Sequence, residues 1–308
     1  VRAALLLATT SFALPLALAF LVAALALPFG RTSDFIFALA IAVPSISIIS
    51  VLVMQYEMQE KESGQIILAT VVVADLLAFV LLAAASSPLP STLAVVAETG
   101  IFIVAFVLVD LLLNKRPQAF RRALTRIGRM SRREDLAYAS LIVVGLAVAS
   151  VFQVIGLSYI IGAYFAGLIV HDGLIGRTAF KEVSQTLARM NRAIFIPFFF
   201  GFAGLEANLS QSSYGLLAGL VLVLAASIIP AMAVTFLVTR LALRAKDPEG
   251  PRQIAVTLGG RGAVGIVIAS VALSNGIFDN VAYSLTVIGT LGISLVVPVL
   301  LGRKGVAD

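Results

Sequence analysis

The sequence contains no cysteine and only one histidine, His171. The lack of cysteine excludes disulfides and thiolate metal centres, and one histidine leaves little material for a zinc or haem site, so no cofactor is expected. Charged residues are also scarce: they make up 12% of the 308 residues, against roughly 25% in soluble domains. Apolar residues make up 60%, and the mean hydropathy is +1.06. This composition is that of an α-helical membrane protein rather than a soluble enzyme.

The apolar residues fall in blocks of about 20, the length that a helix needs to cross a bilayer. We therefore predict an all-α polytopic membrane protein embedded in the lipid bilayer, with ten spans. The predicted spans are 3–27, 34–55, 65–85, 93–113, 136–153, 157–171, 193–206, 215–243, 253–273 and 282–302. The stretch from Thr178 to Arg192 is amphipathic and is predicted to lie at the interface before it runs into the seventh span.

Lysine and arginine indicate the orientation of these spans. If the basic linker 114–134 is cytoplasmic, alternating the sides places 20 of the 22 basic residues in cytoplasmic positions. Arg31 is then outside and Arg261 lies within a span. Basic residues favour the cytoplasmic side of membrane proteins. The net charge of +6 therefore reflects membrane orientation, and no nucleic-acid partner is expected.

With this orientation, spans eight to ten repeat spans one to three with inverted topology. The middle span of each trio contains a helix-breaking patch, 42–47 around Pro44 and 258–263 with Gly260 and Gly262. Paired interrupted helices in two inverted halves are typical of a secondary-transporter binding site at their crossing. Alternatively, Pro44 only kinks its helix and the glycines only allow close packing.

The inverted repeat also predicts the domain organisation. We expect one transporter domain over 1–308, with the remainder of a first repeat and a linker helix in 1–113, the cytoplasmic linker in 114–134 and a second repeat in 135–302. The second repeat has about three helices more than the first. A complete inverted repeat would need about three further helices upstream of Val1, and the absence of an initial methionine agrees with this expectation.

Asp75 and Arg261 are the candidate functional charges. Asp75 lies near the centre of span three in an otherwise apolar helix, where an isolated ionised carboxylate costs several kcal/mol. Such a group holds either a proton or a small cation, and this competition suffices for exchange. Arg261 stays charged. It either binds substrate or acts as a fixed positive charge that caps the broken helix, and we favour the second role.

Hydroxyl groups are the other candidate ligands. Ser45 and Ser47 lie at the break in span two and could offer neutral oxygens to a cation. Thr286 and Thr290 in span ten occupy positions roughly symmetric to Asp75. They are weak candidates, because threonine in membrane helices usually bonds back to its own turn. His171, at the end of span six, reads as a solvated loop residue.

Four stretches together resemble the membrane domain of the monovalent cation:proton antiporter-2 family, which comprises bacterial sodium/proton and potassium/proton exchangers. These stretches are 42–50 with 64–68 and 73–75, 156–158 with 162–168, 195–200 with 204–205, and 259–263. The resemblance implies alternating access at Asp75, exchange of Na⁺, K⁺ or Li⁺ for H⁺, and a homodimer in the bacterial inner membrane. It also implies thirteen helices, of which this chain has the last ten.

Two departures from the family pattern matter. The residue before the essential aspartate is usually Asp or Asn, and here it is Ala74. Many electrogenic members also carry a lysine in the helix that corresponds to span eight, where this chain reads Ser227 to Met232 without a base. With a single titrating carboxylate, we expect electroneutral one-for-one exchange. The same departures leave open an altered substrate or an inactive paralogue.

Two other functions stay open from the sequence. A sodium-coupled organic-anion symporter shares crossed broken helices but would be expected to have more polar residues at the crossing. A transport-inactive membrane scaffold predicts that Asp75→Asn changes no flux. An enzyme is not expected, because no span pairs a nucleophile with a base or shows metal-ligand spacing.

Overall fold

The computed structural model describes residues 6–58, 61–86, 133–154, 159, 162–163, 166–167, 177–208, 210, 213–242 and 249–302. All regular elements within these residues are helical. Backbone contacts divide the chain into two compact units, Val1–Ser86 with Phe202–Asp308, and Ser87–Gly201. Span four, most of span six with His171, and nearly all of the basic linker lie outside the described residues.

The first unit contains two series of helices. The first series is α1 (Leu14–Ala26), which continues a π-helical turn at Thr9–Ala13, followed by α2 (Arg31–Ala42), α3 (Ile46–Gln55) and α4 (Glu62–Ser86). The second series is α8 (Tyr214–Ala242), α9 (Glu249–Leu258), α10 (Ala263–Ser274) and α11 (Asn280–Leu301). Between them in the chain come α5 (Arg133–Val154), α6 (Arg177–Met190) and α7 (Ile196–Glu206), with a π-helical turn at Asn191–Phe195.

Six helical segments of the described residues are long and apolar enough to cross a membrane. They are Leu6–Ala26, Arg31–Gln55, Ser63–Ser86, Tyr214–Leu241, Glu249–Ser274 and Asn280–Leu301. These match predicted spans one, two, three, eight, nine and ten, with boundaries that differ by up to four residues, so the chain is an integral membrane protein. The predicted fifth span falls in α5, and the seventh falls in α7, which continues from α6 without a break in the helix.

Pro44 ends α2. The residue before a proline is pushed out of the helical region, and Val43 has φ −70° and ψ 123°. Proline also has no N–H, so the carbonyl of Ala40 cannot receive the next bond of the helical ladder. Ser45 is extended as well, and α3 starts at Ile46. The kink that the sequence allowed as an alternative is therefore a full interruption of the helix.

The glycines interrupt the second helix in a different way. After α9 ends at Leu258, Gly259 N donates to Val256 O at 3.0 Å and Gly260 N donates to Thr257 O at 2.9 Å, which tightens the last turn. A Cβ at Gly262 would lie 2.7 Å from Ile48 Cδ1 and 3.0 Å from Ser45 Oγ. The glycines therefore let the second break approach the first, which a side chain would prevent.

In both series of the first unit, a long helix is followed by an interrupted helix and then by a second long helix. The helices of the two series also pack in the same order. The helix α1 packs on α2 as α8 packs on α9, and α3 packs on α4 as α10 packs on α11. The two series pack on each other most extensively through α1 with α8 and α2 with α10, and α4 also packs on α9 and α10. The inverted orientation of the two series in a membrane stays a prediction, as does the division into two repeats.

Replacing Gly265 with alanine is expected to destabilise the contact between α2 and α10. A Cβ at Gly265 would lie 2.4 Å from the Ala40 carbonyl oxygen, a backbone atom that cannot rotate away. Overpacking of this kind costs about 1–3 kcal/mol. Thermal unfolding of the full-length protein in detergent measures this loss. Gly292→Ala is the matched control, because nothing lies within 4 Å of its added Cβ; an equal loss of stability in both variants would contradict the argument.

Candidate functional site

The two helix breaks contact each other directly. Ser45 N donates to the Gly260 carbonyl at 3.0 Å, which joins the break after α2 to the break after α9. Ser45 is fully buried, and its hydroxyl lies 2.8 Å from that of Ser47. The structure therefore brings Pro44, the two serines and the two glycines of the prediction to one place, with the ends of four half-helices around it.

Arg261, in the second break, is 1% exposed and lies among backbone carbonyls. Its Nε donates to Ile41 O at 2.8 Å, and its Nη1 donates to Leu258 O at 2.8 Å. These two carbonyls belong to the last turns of α2 and α9, where carbonyl groups have no partner within the helix. The Nη2 atom donates to Ser11 O at 3.3 Å, in the π-helical turn before α1.

The guanidinium therefore caps two helix C-termini and ties both to α1. A helix C-terminus carries a partial negative charge, so two of them together favour a buried cation. Among the described residues, no carboxylate lies within salt-bridge distance of Arg261. A different arginine, Arg252, forms an ion pair with Glu249 at 3.9 Å. This geometry corresponds to the capping and electrostatic role that the sequence analysis favoured.

Helix α11 supports the second break from the other side. The Ser294 hydroxyl lies 2.5 Å from the Arg261 carbonyl oxygen, which is outside any helix, and 2.7 Å from the Thr290 carbonyl oxygen of its own helix, so its one proton is donated to one or the other. Thr286 donates to Ala282 O at 2.8 Å, and Thr290 donates to Thr286 O at 2.9 Å. Both threonines thus bond back to their own helix, as expected for weak candidates. Ser294 was missed by the sequence analysis, because nothing in the pattern distinguishes it from other serines in a helix.

Asp75 lies at the middle of α4, and 1% of its surface is exposed. The helix α4 packs against all four half-helices, α2, α3, α9 and α10. Among the described residues, no donor forms a hydrogen bond with Asp75 Oδ1. A buried carboxylate oxygen without a donor is costly unless a proton or a cation occupies it. Asp75 is therefore a candidate site for a proton or a cation.

Asp34 is a second buried carboxylate, which the sequence analysis did not identify. It lies in the first turn of α2 and is 4% exposed, and its Oδ1 also has no partner among the described residues. Next to it, Ser33 donates to Ile277 O at 2.8 Å, across 244 residues of sequence. In the sequence, Asp34 comes three residues after Arg31 at the start of a span, a position that is typical of a solvated acidic residue at a helix end. Only the tertiary structure reveals its burial.

The side of α8 that faces the second break has no base. Met232 Sδ would lie 3.0 Å from a Cβ on Gly259, so a thioether occupies this contact. The Ser227 hydroxyl is fully buried and donates to Val223 O at 2.6 Å within its own helix. The segment from Ser227 to Met232, in which some antiporters carry a lysine, thus adds no charge near the breaks.

Comparison with known proteins gives consistent results. A family model described as the transmembrane part of sodium/hydrogen exchangers matches residues 1–303. The chain is 26% identical over 280 residues to a Na⁺/H⁺ antiporter of Enterococcus hirae, covering 86% of this chain and 67% of that protein. It is 26% identical over 264 residues to the high-affinity Na⁺/H⁺ antiporter NhaS3 of Synechocystis sp., covering 84% of this chain and 55% of that protein.

Proposed function

The chain belongs to the sodium/hydrogen exchanger family, and on that premise we propose that it exchanges Na⁺ for H⁺ at Asp75 by alternating access. The observation that carries the proposal is the buried Asp75 Oδ1, which has no hydrogen-bond donor among the described residues and lies on a helix that packs against all four half-helices. A proton and a sodium ion compete for this carboxylate. Because the loaded site is neutral with a proton and close to neutral with sodium, either form can reorient across the membrane at low electrostatic cost.

The breaks supply the rest of the proposed site. Ser45 and Ser47 offer hydroxyl oxygens, which suit a small hard cation that has lost part of its water shell. Arg261 does not bind the ion in this proposal. It stabilises the C-termini of α2 and α9 through the carbonyls of Ile41 and Leu258, donates to Ser11 O before α1, and provides a fixed positive charge. Gly260 and Gly262 allow the two breaks to touch.

The family and its antiporter-named relatives favour sodium and a proton as the exchanged ions. K⁺ and Li⁺ are further candidate substrates, since an oxygen-lined site with one carboxylate accepts several monovalent cations. A homodimer, a bacterial inner-membrane location and a cytoplasmic basic linker complete the proposal. They rest on the resemblance and on the distribution of basic residues.

Exchange is expected to be electroneutral, because Asp75 is the one carboxylate near the middle of a described span and the segment from Ser227 to Met232 of α8 contributes no lysine. The test uses proteoliposomes of the full-length protein with a pH-sensitive dye inside. A membrane potential is imposed with a gradient of a permeant anion, so that no candidate substrate is added. The initial rate of sodium-driven proton movement should not change with the potential. A rate that rises with potential of one sign and falls with the other would contradict one-for-one exchange.

A further inference from the structure

Two buried hydroxyl groups of the described spans, those of Thr257 and Ser86, have no hydrogen-bond partner among the described residues. Threonine and serine hydroxyls inside a membrane helix usually donate to a carbonyl of the preceding turn. Those of Thr70, Thr239, Ser227, Thr286 and Thr290 all do so, at 2.6 to 2.9 Å. Thr257 is fully buried, yet its Oγ1 has no hydrogen-bond partner among the described residues.

The backbone around Thr257 is fully bonded, so a poorly formed helix end does not explain the free hydroxyl. The Thr257 carbonyl accepts from Gly260 N at 2.9 Å, in the turn that ends α9. A buried hydroxyl without a partner costs on the order of 1–3 kcal/mol, which an isosteric valine would avoid. The chain therefore keeps a costly polar group one residue before the end of α9.

Thr257 lies inside a span, as Asp75 does. Four side chains of the described residues have a buried oxygen without a partner: Asp34, Asp75, Ser86 and Thr257. Asp34 and Ser86 lie at the ends of their spans, in the first turn of α2 and at the last residue of α4. Asp75 lies at the middle of the span Ser63–Ser86, and Thr257 lies inside the span Glu249–Ser274, one residue before its interruption at the end of α9; the helices α4 and α9 pack together.

We propose that the Thr257 hydroxyl is a neutral ligand of the transported cation, beside the Asp75 carboxylate. This inference rests on the proposed function and adds a specificity-determining residue to it. The carboxylate supplies the charge that balances the ion. The Thr257 hydroxyl, on α9, supplies an oxygen that replaces part of the water shell of the ion. Ser45 and Ser47 belong to the other interrupted helix. The ion that this hydroxyl would bind is a monovalent cation, and sodium is the cation used in the test.

The test compares three variants of the full-length protein in proteoliposomes. Thr257→Val removes the hydroxyl at constant shape and should raise the sodium concentration for half-maximal exchange roughly tenfold. The maximal rate should fall less than that. Thr257→Ser keeps the hydroxyl and should stay within about twofold of the unmodified protein. Thr239→Val is the matched control, because Thr239 is 1% exposed and its hydroxyl donates to Thr235 O at 2.6 Å.

Thermal unfolding separates a ligand from a structural hydroxyl. If Thr257 serves the cation, Thr257→Val should melt no lower than the unmodified protein, because it removes a buried group without a partner. A lower melting temperature would assign the hydroxyl to the fold and overturn the inference. An unchanged sodium requirement in Thr257→Val, with exchange still dependent on Asp75, would overturn this inference and leave the proposed function standing. Absence of exchange in the unmodified protein would overturn both.

Discussion

Replacing Asp75 with asparagine is expected to abolish sodium-driven proton exchange, with a loss of at least about a hundredfold in rate. The amide has nearly the same shape as the carboxyl group, but it neither takes up and releases a proton nor balances the charge of a cation. A sodium ion at the buried Oδ1 position would then be an unpaired charge in a low-dielectric site, which costs several kcal/mol. Proton movement after addition of sodium to proteoliposomes of the full-length protein measures the loss.

Asp34→Asn is the matched control for this result. Asp34 is also buried without a partner for its Oδ1, but it lies in the first turn of α2, where the helix N-terminus stabilises a negative charge. This variant should therefore keep exchange. If both variants lose exchange while remaining folded, two carboxylates take part in the cycle, and electroneutral one-for-one exchange is wrong. An active Asp75→Asn variant would exclude Asp75 as the carrier and support exchange at another site.

Replacing Arg261 with leucine is expected to destabilise the protein by about 3–5 kcal/mol, the range for breaking a buried charged network. The change leaves the carbonyls of Ile41, Leu258 and Ser11 without the donors that now satisfy them. Two helix C-termini would then face each other with no positive charge between them. Arg261→Lys restores the charge, but its ammonium lacks the planar fork that reaches three elements, so its stability should be intermediate.

Thermal unfolding of the full-length protein in detergent measures this effect, with Arg252→Leu as the control. Arg252 also donates to a carbonyl near a helix end, Leu300 O at 2.9 Å, but its side chain is 54% exposed. Exposed interactions of this kind contribute less than about 1 kcal/mol. If Arg261→Leu melts at the same temperature as Arg252→Leu, the carbonyls find other partners, and the capping role of Arg261 is wrong.

The main features of the fold follow from local properties of the sequence. Apolar length predicts the spans, because a bilayer demands about 20 apolar residues for each crossing. Pro44 predicts a kink or an interruption of the second span, since proline removes a hydrogen bond of the helical ladder. Pro230 lies inside the continuous helix α8, so the full break at Pro44 does not follow from the proline alone. Arg261 stands out because a charge within a span needs compensation. Likewise, Thr286 and Thr290 bond back to their own turns, as threonines in apolar helices are expected to do.

Other features depend on which distant elements meet, and no local pattern encodes them. The carbonyl partners of Arg261 come from α1, α2 and α9, and the first two are more than 200 residues away in the chain. The burial of Asp34 depends on packing that joins α2 to the segment after α10. Thr257 is identical in type to threonines that bond back to their helix. The missing partner of its hydroxyl among the described residues is found only when the surroundings of the individual threonines in the structure are compared.

The most direct test of competition at Asp75 is the number of protons released when sodium binds to the purified full-length protein. Sodium is added in detergent and in weak buffer, without any gradient, and bound sodium and released protons are measured together. Competition at Asp75 predicts that up to one proton is released for each sodium bound, and that Asp75→Asn neither binds sodium nor releases protons. Sodium binding without proton release in the unmodified protein, or equal release in Asp75→Asn, would contradict it.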